Sequence, residues 1–241
     1  MYVSKLIGKI HMIKRKLTQR LKIKRFENGE NKTIFDTVAI EQESILKIGA
    51  RKVFHFLCTP DNLQALVIGF LFTQGMITNA AAIKKIKLSQ NIVVVELHHK
   101  TSRLTIANNQ QINPVQPEPA LVFKVMRALQ QKQKIFPLTG GSHAALIFDI
   151  HGKILSFAED VARHNAIDKA IGKCLLNKKL SRAYGIALSS RVTFELVKKI
   201  ARAKIKLIAC VSAPSSLAIQ TAKDCRITLC GFVRGERMNV Y

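Results

Sequence analysis

The sequence contains no tryptophan, three tyrosines and six prolines in 241 residues. So few large aromatics leave no stacking platform of the kind that binds single-stranded nucleic acid. Long apolar runs are missing too: the longest nearly uninterrupted one, Leu66 to Phe72, falls far short of the ~20 residues a membrane-spanning helix needs. A soluble or peripheral protein with no transmembrane segment is expected. No secretory leader is expected either, because basic residues interrupt every early apolar stretch before an h-region can form. The five cysteines (58, 174, 210, 225 and 230) are odd in number and mostly embedded in apolar stretches. A reducing cytoplasm suits them better than a disulfide scaffold. Acidic residues are scarce, 15 against 39 Lys+Arg, which gives a formal charge of +24.

At 48% hydrophobic residues the chain can bury a core, so an unfolded polycation is excluded. The charge will attract phosphate in some form, whether nucleic acid, anionic lipid or a phosphorylated cofactor. Part of it is local. Residues 1 to 30 form a basic N-terminal extension in which Val3, Leu6, Ile7, Ile10, Ile13, Leu17 and Leu21 recur at helical spacing. A solvated extension, a docking arm for membrane or nucleic acid and a transit-type segment all fit that pattern.

Beyond Arg25, short apolar runs at Thr33 to Ile40, Ser44 to Ile48 and Lys52 to Leu57 read as strands. A helix from Asp61 to Thr73 follows, closed by Gly75, where a left-handed cap is easy for glycine. Ile83 to Leu88, Ile92 to Leu97 and Arg103 to Ile106 read as further strands, which makes residues 31–115 a small α+β domain. Asn108 to Pro119 is rich in Asn, Gln and Pro and reads as a linker. In residues 116–241 a helix (Ala120 to Gln133) and a hairpin turning at His151-Gly152 lead into alternating helices and strands from Val161 to Val233. That alternation implies parallel pairing with right-handed crossovers, hence an α/β domain with a mixed sheet.

Four segments place polar groups at strand-to-helix junctions, where such domains build their sites. In Thr139-Gly-Gly-Ser-His143, Gly140 and Gly141 can offer backbone N–H groups to an anion, with His143 beside them; a plain tight turn fits equally. In Glu159 to Asp168, the residues Asp160, His164 and Asp168 stand at i, i+4 and i+8, so a helix would align them, with Glu159 and Arg163 paired alongside. A capped, ion-paired helix gives the same pattern. Ser190 before Arg191, and Pro214 after Ser212, look like helix starts; two helix N-termini with Arg191 at one of them would suit a phosphate. Finally Arg234 and Arg237 flank Gly235, a guanidinium pair on a permissive backbone suited to bidentate phosphate recognition.

In this order and spacing the segments resemble the formate dehydrogenase accessory sulfurtransferase family. The likeness runs from Asp36 to Tyr241 through Thr59-Pro60, Ile68 to Ile77, Thr139 to Ala145, Glu159 to Lys169, Ser190 to Glu195, Ser212 to Ala218 and Gly231 to Gly235. The resemblance implies a two-domain α/β protein: a smaller N-terminal α+β domain and a C-terminal cytidine-deaminase-like, three-layer α/β/α domain with a mixed sheet. It implies a cytoplasmic role in maturing formate dehydrogenase. Such a protein takes sulfur from a cysteine desulfurase as a persulfide and transiently binds the molybdenum bis(molybdopterin guanine dinucleotide) cofactor. It then sulfurates the metal before insertion into the formate dehydrogenase apoprotein. The family's binding segment for the guanine nucleotide moiety maps onto Val233, Arg234, Gly235, Glu236, Arg237 and Met238, with Gly140, Gly141, His143, Arg163, His164, Arg191 and Ser212 as further cofactor-binding candidates. A homodimer is compatible with the family.

Departures from the family pattern matter as much. The family carries its persulfide on a Cys-x-x-Cys loop, and the corresponding stretch here, Thr101 to Pro119, has no cysteine and is shortened. A sulfane sulfur needs a thiolate to hold it, so sulfurtransferase activity is open. Ala162 replaces a usual glycine and Gln74 a usual glutamate. Cys230, beside the mapped binding segment, is the one stand-in for a catalytic thiol, and a packing role is the competing reading. Cys225 with Cys230 lacks further ligands at metal spacing, so no metal site is expected. Zinc chemistry on a deaminase-like fold would need His-x-Glu and Pro-Cys-x-x-Cys; neither motif occurs. A non-catalytic guanine-nucleotide or phosphate-binding protein, or a basic nucleic-acid-binding one, is the alternative.

Overall fold

The computed structural model describes residues 15–49, 52–98 and 114–241. Where a basic extension with a helical pattern was expected, Thr18–Glu27 forms a strand, β1, paired antiparallel along its length with β2 (Glu30–Ala39). Leu21-Lys22-Ile23-Lys24 alternates with period two, which suits a strand. Asn28 and Gly29 supply the two positive φ values, 53° and 81°, of a tight hairpin turn. The ribbon joins no other sheet, and Leu21, Phe26 and Phe35 stand exposed on it. The earlier part of the expected helix, residues 1–14, lies outside the described residues.

The next four strands, β3 (Gln42–Ile48), β4 (Lys52–Cys58), β5 (Ile83–Ser89) and β6 (Ile92–Leu97), form a sheet in the order β4-β3-β6-β5. Only β3 and β6 run parallel. Leu46, Phe56, Cys58, Val93 and Val95 point into its buried face, over which α1 (Leu63–Thr73) is packed. That helix is apolar on nearly every side, so it must be covered on both flanks. The expected strand at Arg103 to Ile106 lies outside the described residues. Within the expected linker, residues 114–118 form no element, and Pro119 opens α2 (Pro119–Lys132).

A short helix α3 (Phe136–Thr139) precedes β7 (His143–Phe148) and β8 (Ile154–Asp160), which form the expected hairpin. Then α4 (Arg163–Leu176), β9 (Gly185–Leu188), α5 (Phe194–Arg202), β10 (Leu207–Cys210), α6 (Ser216–Asp224) and β11 (Thr228–Arg234) alternate. A last strand, β12 (Arg237–Val240), folds back on β11. The six-stranded sheet runs β12-β11-β10-β9-β7-β8, with β9, β10 and β11 parallel and the other pairs antiparallel.

Alternation along the strands sends side chains to two layers. Ala144, Leu146, Phe148, Ala187, Leu207 and Ala209 meet α2, while Ala145, Ile147, Ile186, Leu188 and Ile208 belong to the core under α4, α5 and α6. The protein is thus a two-part α/β fold: a smaller α+β part, and a three-layer part built on a mixed sheet. The parts share one continuous apolar cluster through α1 and α4. These helices meet backbone to backbone at two glycines. A Cβ on Gly172 would lie 1.9 Å from the Ala65 carbonyl oxygen, closer than any side chain permits. No helix among the described residues is long and apolar enough to cross a membrane.

Candidate functional site

Because β9, β10 and β11 are parallel, their carboxyl ends share one edge of the large sheet, and the antiparallel β7 starts there. His143 and Asp160 face each other across β7 and β8 at this edge. Ser189 to Arg191, Ser212 and Phe232 to Arg234 follow on successive strands, and the Phe232 N–H donates to the Ser212 carbonyl at 3.2 Å. The helices expected to begin at these ends start later. Val192 and Pro214 form a parallel bridge that prolongs the sheet, so α5 starts after Thr193 and α6 after Ser215. Ser190 caps neither helix; its hydroxyl donates to the Arg191 carbonyl, while the Ser215 side chain accepts from Ala218 N–H at 3.2 Å. Ser212 and its neighbours therefore present loop backbone, not a helix N-terminus.

Asp160, His164 and Asp168 do not share a helical face. Asp160 closes β8, two residues before α4, and its carboxylate is fully buried 2.6 Å from Lys169 Nζ. It also accepts from the N–H groups of Thr59 and Ala162 and from Asn165. Lys169 in turn reaches Asp61 Oδ1 at 2.7 Å and the Thr59 hydroxyl at 2.7 Å, so this buried cluster ties α4 to the segment entering α1. Asp168 is equally buried and takes Lys199 Nζ at 2.5 Å and the Thr73 hydroxyl at 2.8 Å. Burial pushes the Asp168 carboxyl up, against the pull of Lys199 and the Thr73 hydrogen bond. Both carboxylates are held inside the protein by lysines, in neither the aligned helix face nor the capped, ion-paired helix surface that the spacing suggested. His164 alone keeps partial access to solvent, with Glu195 at 3.7 Å. Burial and then the charges of Lys199 and Arg163 hold its imidazolium form below the ordinary range.

Glu159 does not pair with Arg163. Its buried carboxylate accepts from the N–H groups of Lys134, Ile135 and Phe136 and from the Ser142 hydroxyl at 2.7 Å. It is the anion at the start of α3. The two glycines expected to cradle a phosphate are committed as well. Gly140, at φ +64°, donates to Phe136 O, and Gly141 donates to the Thr139 hydroxyl. The turn reading explains both.

What the edge does present is positive charge. His143 is half-buried and close enough to Arg163 and Arg191 for both to depress its pKa, after burial itself. The Arg163 Nε is buried without a hydrogen-bond partner, while Arg191 is exposed. Farther along, Gly235 (φ +57°) turns β11 into β12, and Arg234 and Arg237 stand directly opposite each other in that hairpin, both exposed. Like charges at paired positions repel; an anion between them reverses the sign. Val233 is buried, Met238 half-buried and Glu236 exposed at the same turn.

Cys230 is the paired neighbour of Ala209 inside the sheet, fully buried, and burial pushes its thiol up to about 12. Burial inside the sheet keeps this thiol protonated at neutral pH, which is the packing role. Cys210 is likewise raised to about 12, and only Cys225 has partial exposure. Among the described residues no three His, Cys, Asp or Glu gather as a metal site.

The fold and this edge define a two-part α/β protein with a cationic edge at the carboxyl ends of its parallel strands. The FdhD/NarQ family model matches residues 39–113 and 99–241. The sulfur carrier protein FdhD of Corynebacterium efficiens is 31% identical over 270 residues, covering 94% of this chain and 98% of its own. That of Sulfolobus acidocaldarius is 31% identical over 242 residues, with 92% and 96% covered. A crystal structure described as a formate dehydrogenase accessory protein, from Desulfotalea psychrophila, superposes with a TM-score of 0.81 at 27% identity, covering 94% of this chain and 97% of that one. The chain belongs to the FdhD/NarQ family.

Sequence reasoning missed Thr59, Asp61, Thr73 and Lys199 as partners of the buried carboxylates. Lys169 stands within the matched segment Glu159 to Lys169, yet its neighbours Asp168 and Ala170 give no local sign that it is buried and paired.

Proposed function

We propose that this protein is a formate dehydrogenase accessory factor that holds the molybdenum bis(molybdopterin guanine dinucleotide) cofactor as cargo on the carboxyl edge of its six-stranded sheet. The observation that carries the reading is the Arg234–Arg237 pair, two exposed guanidinium groups in register across a tight turn. Such an arrangement is costly alone and favourable around a phosphate, to which each fork can offer two parallel donors. Arg163, whose buried Nε lacks a partner, and Arg191 extend the anion-holding surface toward His143. The half-buried, neutral His143 can accept a hydrogen bond or take up a proton as a phosphate arrives. The partner that receives the cargo is the formate dehydrogenase apoprotein, in the cytoplasm.

The family's sulfur-carrier chemistry is the part this chain does not support. No cysteine stands between Thr101 and Pro119, and four of the five cysteines elsewhere are buried. We therefore assign cofactor holding and delivery to this chain, with sulfur loaded by another carrier or before the cargo arrives.

Calorimetric titration with GDP, the terminal nucleotide of the cargo, tests the site. Arg234→Glu combined with Arg237→Glu should weaken binding by well over tenfold, since charge-assisted hydrogen bonds contribute ~1.5–3 kcal/mol each. Affinity within threefold of the unsubstituted protein would remove the assignment.

A further inference from the structure

The opposite edge of the same sheet carries its own pattern. Helices α4, α5 and α6 all end there, and each is followed by a residue in the left-handed region: Lys178 (φ +54°), Lys204 (φ +57°) and Arg226 (φ +55°). Their hydrogen bonds are those of a helix closed by a reversed turn, with Lys179 N–H donating to Cys174 O at 2.8 Å, Ile205 to Ile200 O at 3.4 Å and Ile227 to Ala222 O at 2.8 Å. Glycine is the favoured residue at such a position because any Cβ is strained there. Three times out of three this chain places a long cation instead. Compensation of the helix dipole explains a cation near a helix end. It does not explain the choice of a strained position, since the last turns of α5 and α6 already carry Arg202 and Lys223.

Lys204 and Arg226 stand two residues before the hydrogen-bonded neighbours Lys206 and Thr228, and Lys178 follows α4 at the same edge. Lys206 N–H donates to Tyr184 O and Thr228 N–H to Lys206 O, each at 3.0 Å, so the amino ends of β9, β10 and β11 are adjacent at the ~4.8 Å spacing of a sheet. Arg182 and Lys206 join the row, and all five side chains are exposed. The acidic groups nearby are few. Asp149 is buried and already accepts from Arg182 at 3.0 Å and from the N–H groups of His151 and Lys153. Asp224 accepts from Gln220, and Glu118 lies near Tyr184. Beside Arg182, Lys204 and Lys206 of that row runs an open groove of about 590 Å³, lined also by Ile150, His151, Tyr184 and the Arg182-paired Asp149. Ile150 is 61% exposed.

We infer that this amino edge docks an acidic peptide segment of a partner protein, with carboxylates on the lysine and arginine row and an apolar side chain against Ile150 and Tyr184. The surface suits a peptide better than other polyanions. The groove offers one aromatic ring, half-buried against Phe148, so bases have nothing to stack on, and a single exposed aliphatic residue is too little to enter a bilayer. The edge lies across the sheet from the cofactor site, so both can be filled together.

The test uses a fluorescein-labelled peptide of alternating glutamate pairs and leucines, read by anisotropy at low salt against the full chain. The triple variant Lys178→Gly, Lys204→Gly, Arg226→Gly removes three charges and puts at each position the residue its backbone favours, so the fold is kept. Peptide affinity should fall at least tenfold while the thermal midpoint stays level or rises. A control with the same charge loss, Lys84→Ser, Lys85→Ser, Lys87→Ser on the four-stranded sheet, should stay within twofold. Lys206→Glu, at an exposed position that ends no helix, should cost at least fivefold and gives a second, independent variant. The inference is overturned if the glycine variant keeps its affinity within twofold, or if the control loses as much, which would mean diffuse attraction to net charge. It is also overturned if a deoxythymidine decamer or phosphatidylglycerol vesicles bind more tightly than the peptide and lose that binding in the glycine variant.

Discussion

A Cβ placed on Gly69 would lie 1.8 Å from the carbonyl oxygen of Asp168. The two helices that carry these residues, α1 and α4, therefore touch through bare backbone, and beside that contact the side chain of Asp168 is held by Thr73 of α1 and by Lys199. Gly69→Ala must push the helices apart. Overpacking of this kind costs typically 1–3 kcal/mol and more where backbone blocks relaxation. Urea unfolding should show a loss of at least about 2 kcal/mol. A loss under half of that would show that α1 slides freely.

Lys169→Met should be more damaging than any surface charge change. It strips Asp160 and Asp61 of their ammonium partner inside the protein, and unpairing a buried charge costs ~3–5 kcal/mol. By contrast Lys32→Met, which breaks the exposed pair with Glu30, should change stability by no more than about 1 kcal/mol. Equal effects in the two variants would argue against the buried ion pair.

GDP binding should strengthen as the pH falls from 8 toward 6. His143 has its pKa held down by burial and by Arg163 and Arg191, so it is neutral near pH 7 in the free protein. A phosphate beside those arginines offsets their repulsion and raises the histidine's pKa. Binding then takes up a proton, and affinity rises as protons become available, by up to about tenfold per pH unit for one full proton. Titration in buffers of different ionisation enthalpy measures the uptake directly. His143→Ala should flatten the slope; an unchanged slope would place the proton elsewhere.

Incubated with a cysteine desulfurase and cysteine, the protein should acquire no stoichiometric persulfide. Thiols as buried as Cys210 and Cys230, raised to about 12, are protonated and shielded at neutral pH. Mass spectrometry of the treated chain decides it. A stoichiometric sulfur adduct on any cysteine, including Cys225, the least buried of the five, that transfers to a molybdenum acceptor would overturn the division of labour proposed above.

Much of the larger part was legible because its elements follow simple periods. Strands β7, β9 and β10 are nearly continuous apolar runs and the helices between the later strands are amphipathic, so their alternation dictated a mixed sheet. The N-terminal ribbon was harder. Leu17 and Leu21 fit a helical repeat with the residues before them, and the period-two run that follows, with Asn28-Gly29 behind it, was the contradicting signal. Strand β12, Arg-Met-Asn-Val, has little strand character of its own and exists because β11 offers it an edge. At the site, the i, i+4, i+8 spacing of Asp160, His164 and Asp168 misled because α4 starts only at Arg163, leaving Asp160 on a strand. Lys169 lies nine residues from Asp160, and Lys199, on another helix, lies 31 residues from Asp168, separations that no local pattern can show.

The shared core beneath α1 and α4 also governs how the molecule opens. Because one continuous apolar cluster joins the small sheet to the large one, and Lys169 and Asp168 of α4 bond across it to Asp61 and Thr73, amides in β3, β6, β7 and β9 should exchange with solvent through one common opening, at the full unfolding free energy. The distal half of the β1–β2 ribbon, with both faces in water and no third strand, lies outside that unit. Its amides should report only local fraying, exchanging early while the body is still closed, so the same protein holds a slow clock and a fast one.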